Sequence, residues 1–136
     1  MNNWVNKREN FSSHQIKTLT KNITGMPKGS KMLIANTKII DEYIKKIPRG
    51  KFIEIKDFRL NLAKEYKCDV TCPLTSGIFI RIVSEASFQE LNEGKTLDLI
   101  TPFWRVIDIN SNLAKKLTCG IDFIKELQAE ENIYNY

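Results

Sequence analysis

Three cysteines and one histidine are the residues of this chain whose chemistry can supply a nucleophile or a zinc site. Cys68 and Cys72 are separated by three residues, which is wider than the C-x₂-C of zinc knuckles, and His14 lies far from both. Because a structural zinc site needs four well-placed ligands, we predict no metal and no cofactor. The odd cysteine count, with no signal-peptide pattern, indicates reduced thiols. We therefore expect Cys68 and Cys72 to be small buried residues.

Positive charge is concentrated in the first half of the chain. Residues 1–31 contain six basic and one acidic residue, residues 32–67 contain nine and five, and residues 68–136 contain six and ten. Lysine and arginine near nucleic acid displace counterions from phosphates, so a basic half can dock on DNA. Lysine is also a common solubilising surface residue. The charge pattern permits a nucleic-acid partner without requiring one.

Length and composition predict a cytoplasmic protein with one domain. The chain has 136 residues, of which 42% are hydrophobic and 27% charged, as in an ordinary globular fold. No apolar run approaches the roughly 18 residues that cross a membrane, so we expect no membrane partner. We predict a basic arm over residues 1–31, loosely structured apart from a short helix within 11–19, and a domain over residues 32–136.

Hydrophobic spacing and end signals predict four helices in that domain. They run from a cap at residues 36–37 to Pro48, over 56–66, from Pro73 to residues 92–94, and over 120–131. A short strand over 51–55, an extended pair over 97–109 and a loop over 110–118 complete the pattern. The predicted fold is mainly α with a small β element, of the winged-helix-like (helix-turn-helix) kind.

The helix that begins at Pro73 is the predicted recognition helix, because the second of two packed helices enters the major groove. Thr75, Ser76 and Gly77 are small or polar and permit close approach to phosphates. Arg81 is the only basic residue of this helix, whereas Glu85 and Glu90 are acidic. Its predicted buried face consists of five apolar residues: Ile78, Phe79, Ile82, Val83 and Ala86.

Three segments together resemble the DNA-binding domain of the alkylguanine-DNA alkyltransferases, the methylated-DNA–protein-cysteine methyltransferases. Residues 47–55 (IPRGKFIEI) resemble the family's IPxGxVxSY segment, and residues 100–107 (ITPFWRVI) resemble its IPCHRVI signature. Residues 118–120 (TCG), followed by the last helix, resemble its YSGG pocket loop and closing helix. The resemblance covers about residues 32–130, and it implies a DNA-binding fold whose active site lies near residues 103 and 104.

The chain departs from this family at the positions that carry the chemistry. Phe103 stands at the position of the nucleophilic cysteine, and Trp104 at that of the histidine that activates it. Ile55 replaces the tyrosine that helps to rotate the nucleotide, and Gly77 falls near the arginine that fills the space left by the extruded base. The resemblance therefore implies a protein without this enzyme activity.

The resemblance assigns the remaining site residues to three groups. The former-pocket residues are Ile55, Phe103, Trp104, Thr118 and Cys119, with Thr118 at the position of the pocket-loop serine. Pro102 and Arg105 match the family directly, and we expect Arg105 to brace the segment through internal hydrogen bonds. The expected DNA-binding residues are Thr75, Ser76, Gly77, Arg81, Arg49, Lys51 and Lys56.

The alkyltransferase-like proteins, which replace the cysteine and bind alkylated DNA without repairing it, are the nearest resemblance in kind. This resemblance implies that the partner is double-stranded DNA and that repair proteins are further partners. It also implies that the protein senses damaged bases. One alternative is the same fold used for contact with a protein or another ligand, in which Phe103 and Trp104 fill the former pocket. A remote alternative is an alkyltransferase that uses Cys119 as its nucleophile.

Overall fold

Six α-helices and one three-stranded sheet make up residues 3–133, which are the part of the chain that the computed structural model describes. Residues 1–2 of the predicted arm and 134–136 of the predicted domain lie outside that part. In chain order the elements are α1 Trp4–Glu9, β1 Gln15–Thr18, β2 Lys31–Ile34, α2 Thr37–Lys45, α3 Ile55–Glu65, β3 Val70–Thr71, α4 Pro73–Asn92, α5 Asn112–Lys116 and α6 Ile121–Glu130. The mainly α character with a small β element is confirmed.

The predicted helices α2, α3, α4 and α6 are present close to their expected bounds. Asn36 caps α2, since its side chain accepts a hydrogen bond of 2.8 Å from the amide of Ile39. Pro73 occupies the first turn of α4, where its missing N–H costs nothing. The predicted buried face of α4 is wrong at Ile78, which is 50% exposed, whereas Ile80 is fully buried.

The sheet has the order β1-β2-β3, with β1 antiparallel and β3 parallel to β2. Ile16 pairs with Leu33, so the helix predicted within residues 11–19 is wrong. The strand predicted over 51–55 is also wrong, because Glu54 is the N-cap of α3 and the helix begins at Ile55. Both errors come from short apolar patterns, whose conformation is decided by tertiary partners.

The segment after α4 is turned rather than extended. Residues Leu97–Leu99 and Phe103–Arg105 form two short 3₁₀ turns, and α5 occupies part of the predicted loop. The extended pair expected over 97–109 is therefore wrong, and no strand follows α4 among residues 93–133. An apolar run of this length is compatible with a buried strand and with a buried turn, because its periodicity does not distinguish the two.

The expected loose arm instead contributes α1 and β1 to the packed body. The guanidinium of Arg8 is buried and donates a hydrogen bond of 2.6 Å to Glu90 of α4. The amides of Trp4 and Val5 donate to the side chain of Gln89 at 2.9 and 3.3 Å. Helix α1 is thereby fixed along α4, the helix predicted to contact DNA.

One hydrophobic core joins the helices to the segment 100–107. Its fully buried side chains include Ile40 of α2, Phe58 of α3, Ile80 of α4, Phe103 and Ile124 of α6. Each such side chain contributes about 1.5–3 kcal/mol relative to an exposed one. Within residues 3–133, no helix is long and apolar enough to cross a membrane.

Candidate functional site

Phe103 and Trp104 lie in the interior, where their rings contact each other. Phe103 is completely buried and Trp104 is 3% exposed. The ring centroids are 5.6 Å apart with nearly perpendicular planes, which is a favoured aromatic arrangement. The Trp104 indole donates a hydrogen bond of 2.8 Å to Glu131, so its polar edge is satisfied as well. Neither ring presents a face on which a nucleic-acid base can stack.

Glu131 is the acceptor that ties the segment 100–107 to the rest of the molecule. Arg105 donates to both of its carboxylate oxygens, at 2.8 and 2.9 Å, and donates a third bond of 2.7 Å to the carbonyl of Ile47. The amide of Gly50 donates to Glu131 at 2.9 Å. Arg105 therefore braces the turn against both the segment before α3 and the end of α6.

The charge of Glu131 is strongly stabilised despite its burial. Burial alone raises the pKa of this carboxyl, because a charge loses hydration in the interior. Hydrogen bonds from Arg105, from the Gly50 amide and from Trp104 outweigh that effect and hold the pKa at about 2. The carboxylate is thus fully ionised at neutral pH and is built as a structural acceptor.

Two further polar side chains support the segment, and sequence reasoning missed them as it missed Glu131. Gln128 is buried and donates to the carbonyls of Trp104 and Ile107 at 2.9 and 2.8 Å. Thr101 donates a hydrogen bond of 2.6 Å to Asp41 of α2. In the sequence, Gln128 and Glu131 have the polarity of a solvent-facing helix end, and only the tertiary fold turns them inward.

The pocket-loop residues Thr118 and Cys119 lie between α5 and α6, beside Glu85 of α4. Thr118 donates to the Glu85 carboxylate from its hydroxyl at 2.9 Å and from its amide at 3.2 Å. Burial, and then the nearby charge of Glu85, raise the pKa of the Cys119 thiol to about 11. The one histidine, His14, packs against Tyr66 at a ring distance of 4.9 Å. Ile55, the fifth former-pocket residue, begins α3 and packs on the core.

The first turns of α4 bring together only part of the expected DNA-binding set. Ser76 is completely buried, and its hydroxyl donates a hydrogen bond to the carbonyl of Pro73. The Thr75 hydroxyl is buried without a hydrogen-bond partner. Gly77 and Arg81 line an open cleft on the outer side of the helix.

Two clefts flank the first turns of α4, and both have basic walls. The hairpin cleft lies between the β1–β2 connection and α3, has a volume of about 310 Å³, and is lined by Lys56, Arg59 and Pro73 among others. The α1 cleft, on the other flank, has a volume of about 470 Å³ and is lined by Trp4, Lys7, Pro73, Leu74, Gly77, Ile78, Arg81, Ile82, Leu113 and Lys116. Pro73 is common to both clefts.

Arg49 and Lys51 lie in the segment before α3, and the partners of Arg49 belong to the end of α6. Arg49 donates to the carbonyl of Glu130 at 3.2 Å, and its side chain is 68% exposed. Lys51 is exposed in the same segment. Neither residue lines the two clefts beside α4, so the structure separates them from Lys56.

The acidic residues of α4 that the sequence places near the recognition surface are turned inward. Glu85 is 2% exposed and is occupied by Thr118. Glu90 accepts hydrogen bonds of 2.6 Å from both Arg8 and Lys95. The bond from Arg8 lowers the pKa of Glu90 to about 2, although burial opposes this shift. These carboxylates therefore leave the outer face of the first turns free of negative charge.

The cysteines show no arrangement that binds a metal within the described part of the chain. Cys68 is buried and its thiol lies 3.4 Å from the carbonyl of Tyr66. Burial raises the pKa of this thiol, which disfavours the thiolate that a metal requires. Residues 3–133 contain no group of three histidine, cysteine, aspartate or glutamate side chains that could hold an ion.

No protein-family model, curated protein or solved structure matches this chain. The resemblance to the alkyltransferases thus rests on the three sequence segments.

Proposed function

We propose that this protein is a non-catalytic, double-stranded-DNA-binding protein that resembles the alkyltransferase-like proteins in its fold and in the loss of the catalytic cysteine. In this proposal the fold is winged-helix-like, α3 and α4 act as a helix-turn-helix pair, and the first turns of α4 face the major groove. Basic side chains on both flanks of α4 contact the phosphates. The segment 100–107 has become a structural brace in place of an active site.

The observation that carries the proposal is the pair of basic clefts, one beside the start of α4 at Pro73 and the other along its first turns. Lys56 and Arg59 line one flank, and Arg81 and Lys116 line the other. The acidic residues of the same helix are buried and paired. A helix with cations on both flanks suits a groove, because the groove has a phosphate strand on each side.

The absence of catalysis is supported by the side chains at positions 103 and 104. Phenylalanine and an indole that already donates to Glu131 supply no nucleophile and no base. Their burial also argues against a damaged base entering the former pocket. We expect an alkylated duplex and its unmodified twin to bind equally, and Phe103→Ala to leave that ratio at one.

Salt dependence of duplex binding tests the proposal. Fluorescence anisotropy with a labelled duplex should give an association constant that falls steeply with salt, by about 0.9 logarithmic units per tenfold salt for each phosphate contact. Lys56→Gln and Arg59→Gln should each weaken binding and reduce the slope by about 0.9. No binding at low salt would reject the proposal.

A charge-matched control separates local contacts from net charge. Lys125 is exposed on α6, and its substitution by glutamine removes the same charge away from α4. This variant should keep the slope of the unsubstituted protein. If all three variants shift the slope equally, binding depends on overall charge and α4 is not the interface.

A second candidate function is docking of a protein partner on the same face. Leu74 is 72% exposed, Ile78 is 50% exposed, and Leu60 of α3 is 41% exposed. Exposed apolar side chains of this size on neighbouring elements are typical of interaction surfaces. Ile78→Ser distinguishes the two functions, since it should leave the salt slope of DNA binding unchanged and weaken only protein docking.

A further inference from the structure

The α1 cleft combines an aromatic ring with three cations at its rim. Trp4 and Lys7 come from α1, Arg81 from α4 and Lys116 from α5. None of the described residues that line the cleft is acidic. The Lys7 ammonium lies 4.6 Å and the Arg81 guanidinium carbon 5.4 Å from the centre of the Trp4 ring. The carboxylate nearest to Arg81 is that of Glu85, 3.9 Å from its Nε.

The indole of Trp4 is held in place by the docking of α1. The backbone amide of Trp4 donates a hydrogen bond to the side chain of Gln89. Asn3 caps α1, because its side chain accepts a hydrogen bond of 3.0 Å from the amide of Asn6. One turn further, Arg8 fixes the helix to Glu90 at 2.6 Å. A fixed aromatic ring binds a base at a lower entropic cost than a mobile one.

The helix wall of the cleft is open at position 77. A Cβ added at Gly77 would meet no atom within 4 Å, so the space beside the helix is empty there. Glycine in a helix interior costs roughly 0.5–1 kcal/mol relative to alanine. The chain thus accepts a weaker helix at the point where the floor of the cleft lies.

We propose that the α1 cleft binds a single unstacked nucleotide, with the base against Trp4 and the phosphate held by Lys7, Arg81 and Lys116. The volume of about 470 Å³ falls within the range of small-molecule sites. Aromatic stacking accepts any base, and the cations provide the attraction for phosphate. The cations now beside the indole turn toward the phosphate when the nucleotide enters.

The inference rests on the proposed DNA binding, because the cleft opens beside the first turns of α4. The nucleotide is therefore one that has left the stack of a DNA strand, as at an unpaired position. A free mononucleotide carries the same chemistry and is the second source to be tested.

Filling the cleft at Gly77 tests the inference. Gly77→Leu projects a side chain into the empty space, whereas Gly77→Ala strengthens the helix and leaves the cleft open. The probes are a labelled duplex with one unpaired thymidine and its fully paired twin, measured by anisotropy. The unsubstituted protein and Gly77→Ala should prefer the bulged duplex about fivefold or more. Gly77→Leu should bind both duplexes equally, with a melting temperature no lower than that of the unsubstituted protein. Because Gly77 also lies in the first turns that face the groove, the readout is the ratio of the two affinities and not the affinity for either duplex alone.

The outcomes separate this inference from the proposed function. Equal binding of both duplexes by the unsubstituted protein, or a preference that survives in Gly77→Leu, overturns the inference and leaves duplex binding intact. The second experiment titrates the protein with thymidine monophosphate and follows tryptophan fluorescence. A base that binds in the cleft should quench the emission of Trp4, whereas Trp104 is buried and should be unaffected. Quenching that Gly77→Leu abolishes, without binding to either duplex, assigns the cleft to a free nucleotide and overturns the DNA-binding proposal alone.

Discussion

Glu131 accepts hydrogen bonds from three residues in two parts of the chain, and its side chain is only 2% exposed. The donors are Trp104, Arg105 and the amide of Gly50. A buried carboxylate is tolerated only when paired and hydrogen-bonded, and here both conditions are met. Glu131 therefore holds the segment 100–107, which resembles an active-site segment, in a fixed structural position.

Replacing Glu131 by glutamine should lower the free energy of unfolding by about 3–5 kcal/mol, because the Arg105 guanidinium loses its counter-charge in a buried site. Urea denaturation followed by circular dichroism measures the change. Glu130→Gln is the matched control: that side chain is exposed, and its loss should cost less than about 0.5 kcal/mol. Equal stability of the two variants would contradict the assigned role of Glu131.

Cys119 should react slowly as a nucleophile. With a pKa of about 11, only about one molecule in ten thousand carries the thiolate at pH 7. Incubation with an alkylated oligonucleotide should leave the protein mass unchanged. Iodoacetamide should modify Cys119 at least roughly tenfold more slowly than in the urea-unfolded chain. Rapid, selective labelling of Cys119 in the folded protein would restore the alkyltransferase alternative.

At the scale of elements, long periodic segments were predictable and short ones were not. Helices α2, α3, α4 and α6 carry their own spacing, caps and stops, so the pattern alone locates them. Strand β1 has four exposed residues and exists because β2 lies beside it. The turn at Phe103–Arg105 packs against α4 and α6, and no local sequence signal indicates those contacts.

The candidate site divides along the same line. The sequence predicts the start of α4 and the basic residues of α3, because helix boundaries and charge can be read from neighbouring residues. It does not show that the side chain of Ser76 is buried, because the burial of a small polar residue depends on the tertiary fold. It also groups Arg49 with Lys56, whereas the intervening segment turns Arg49 toward α6. No sequence signal indicates Trp4, since its place beside α4 depends on the docking of α1.

Helix α1 has six residues, which is too short to be helical in isolation, so its docking bonds should determine its stability. Arg8→Gln removes a charged hydrogen bond worth about 1.5–3 kcal/mol and leaves Glu90 with Lys95. Amide hydrogen exchange over residues 4–10 should then accelerate by roughly tenfold or more, with α3 and α6 unchanged.

Glu9→Gln is the control for this experiment. Glu9 also contacts Arg8, at 2.9 Å, but its side chain is 64% exposed. An exposed pair contributes little, so exchange in α1 should change by less than about fivefold. Uniform acceleration across the whole chain in Arg8→Gln would indicate a global loss of stability and contradict local release of α1.

At the scale of the whole molecule, the buried carboxylates of Glu90 and Glu131 join distant parts of the chain. Glu90 holds the N-terminal helix through Arg8, and Glu131 holds the segment 100–107 and the residues before α3. Both bonds link residues more than 25 positions apart, so they form only with the complete fold. Protonation of these groups should therefore be coupled to global unfolding.

The free energy of unfolding should decrease as the pH is lowered, over a range set by the pKa values of Glu90 and Glu131. The pKa values of Glu90 and Glu131 drop from 4.5 to about 2 on folding, so the unfolded chain binds more protons between those values. Stability is complete above pH 4.5 and is lost as the pH falls toward 2, by on the order of 3 kcal/mol for each group. Urea titrations between pH 6 and 2.5 measure the loss, and Glu90→Gln should flatten it by about half. A free energy of unfolding that stays constant to pH 2.5 would show that neither carboxylate is held as described.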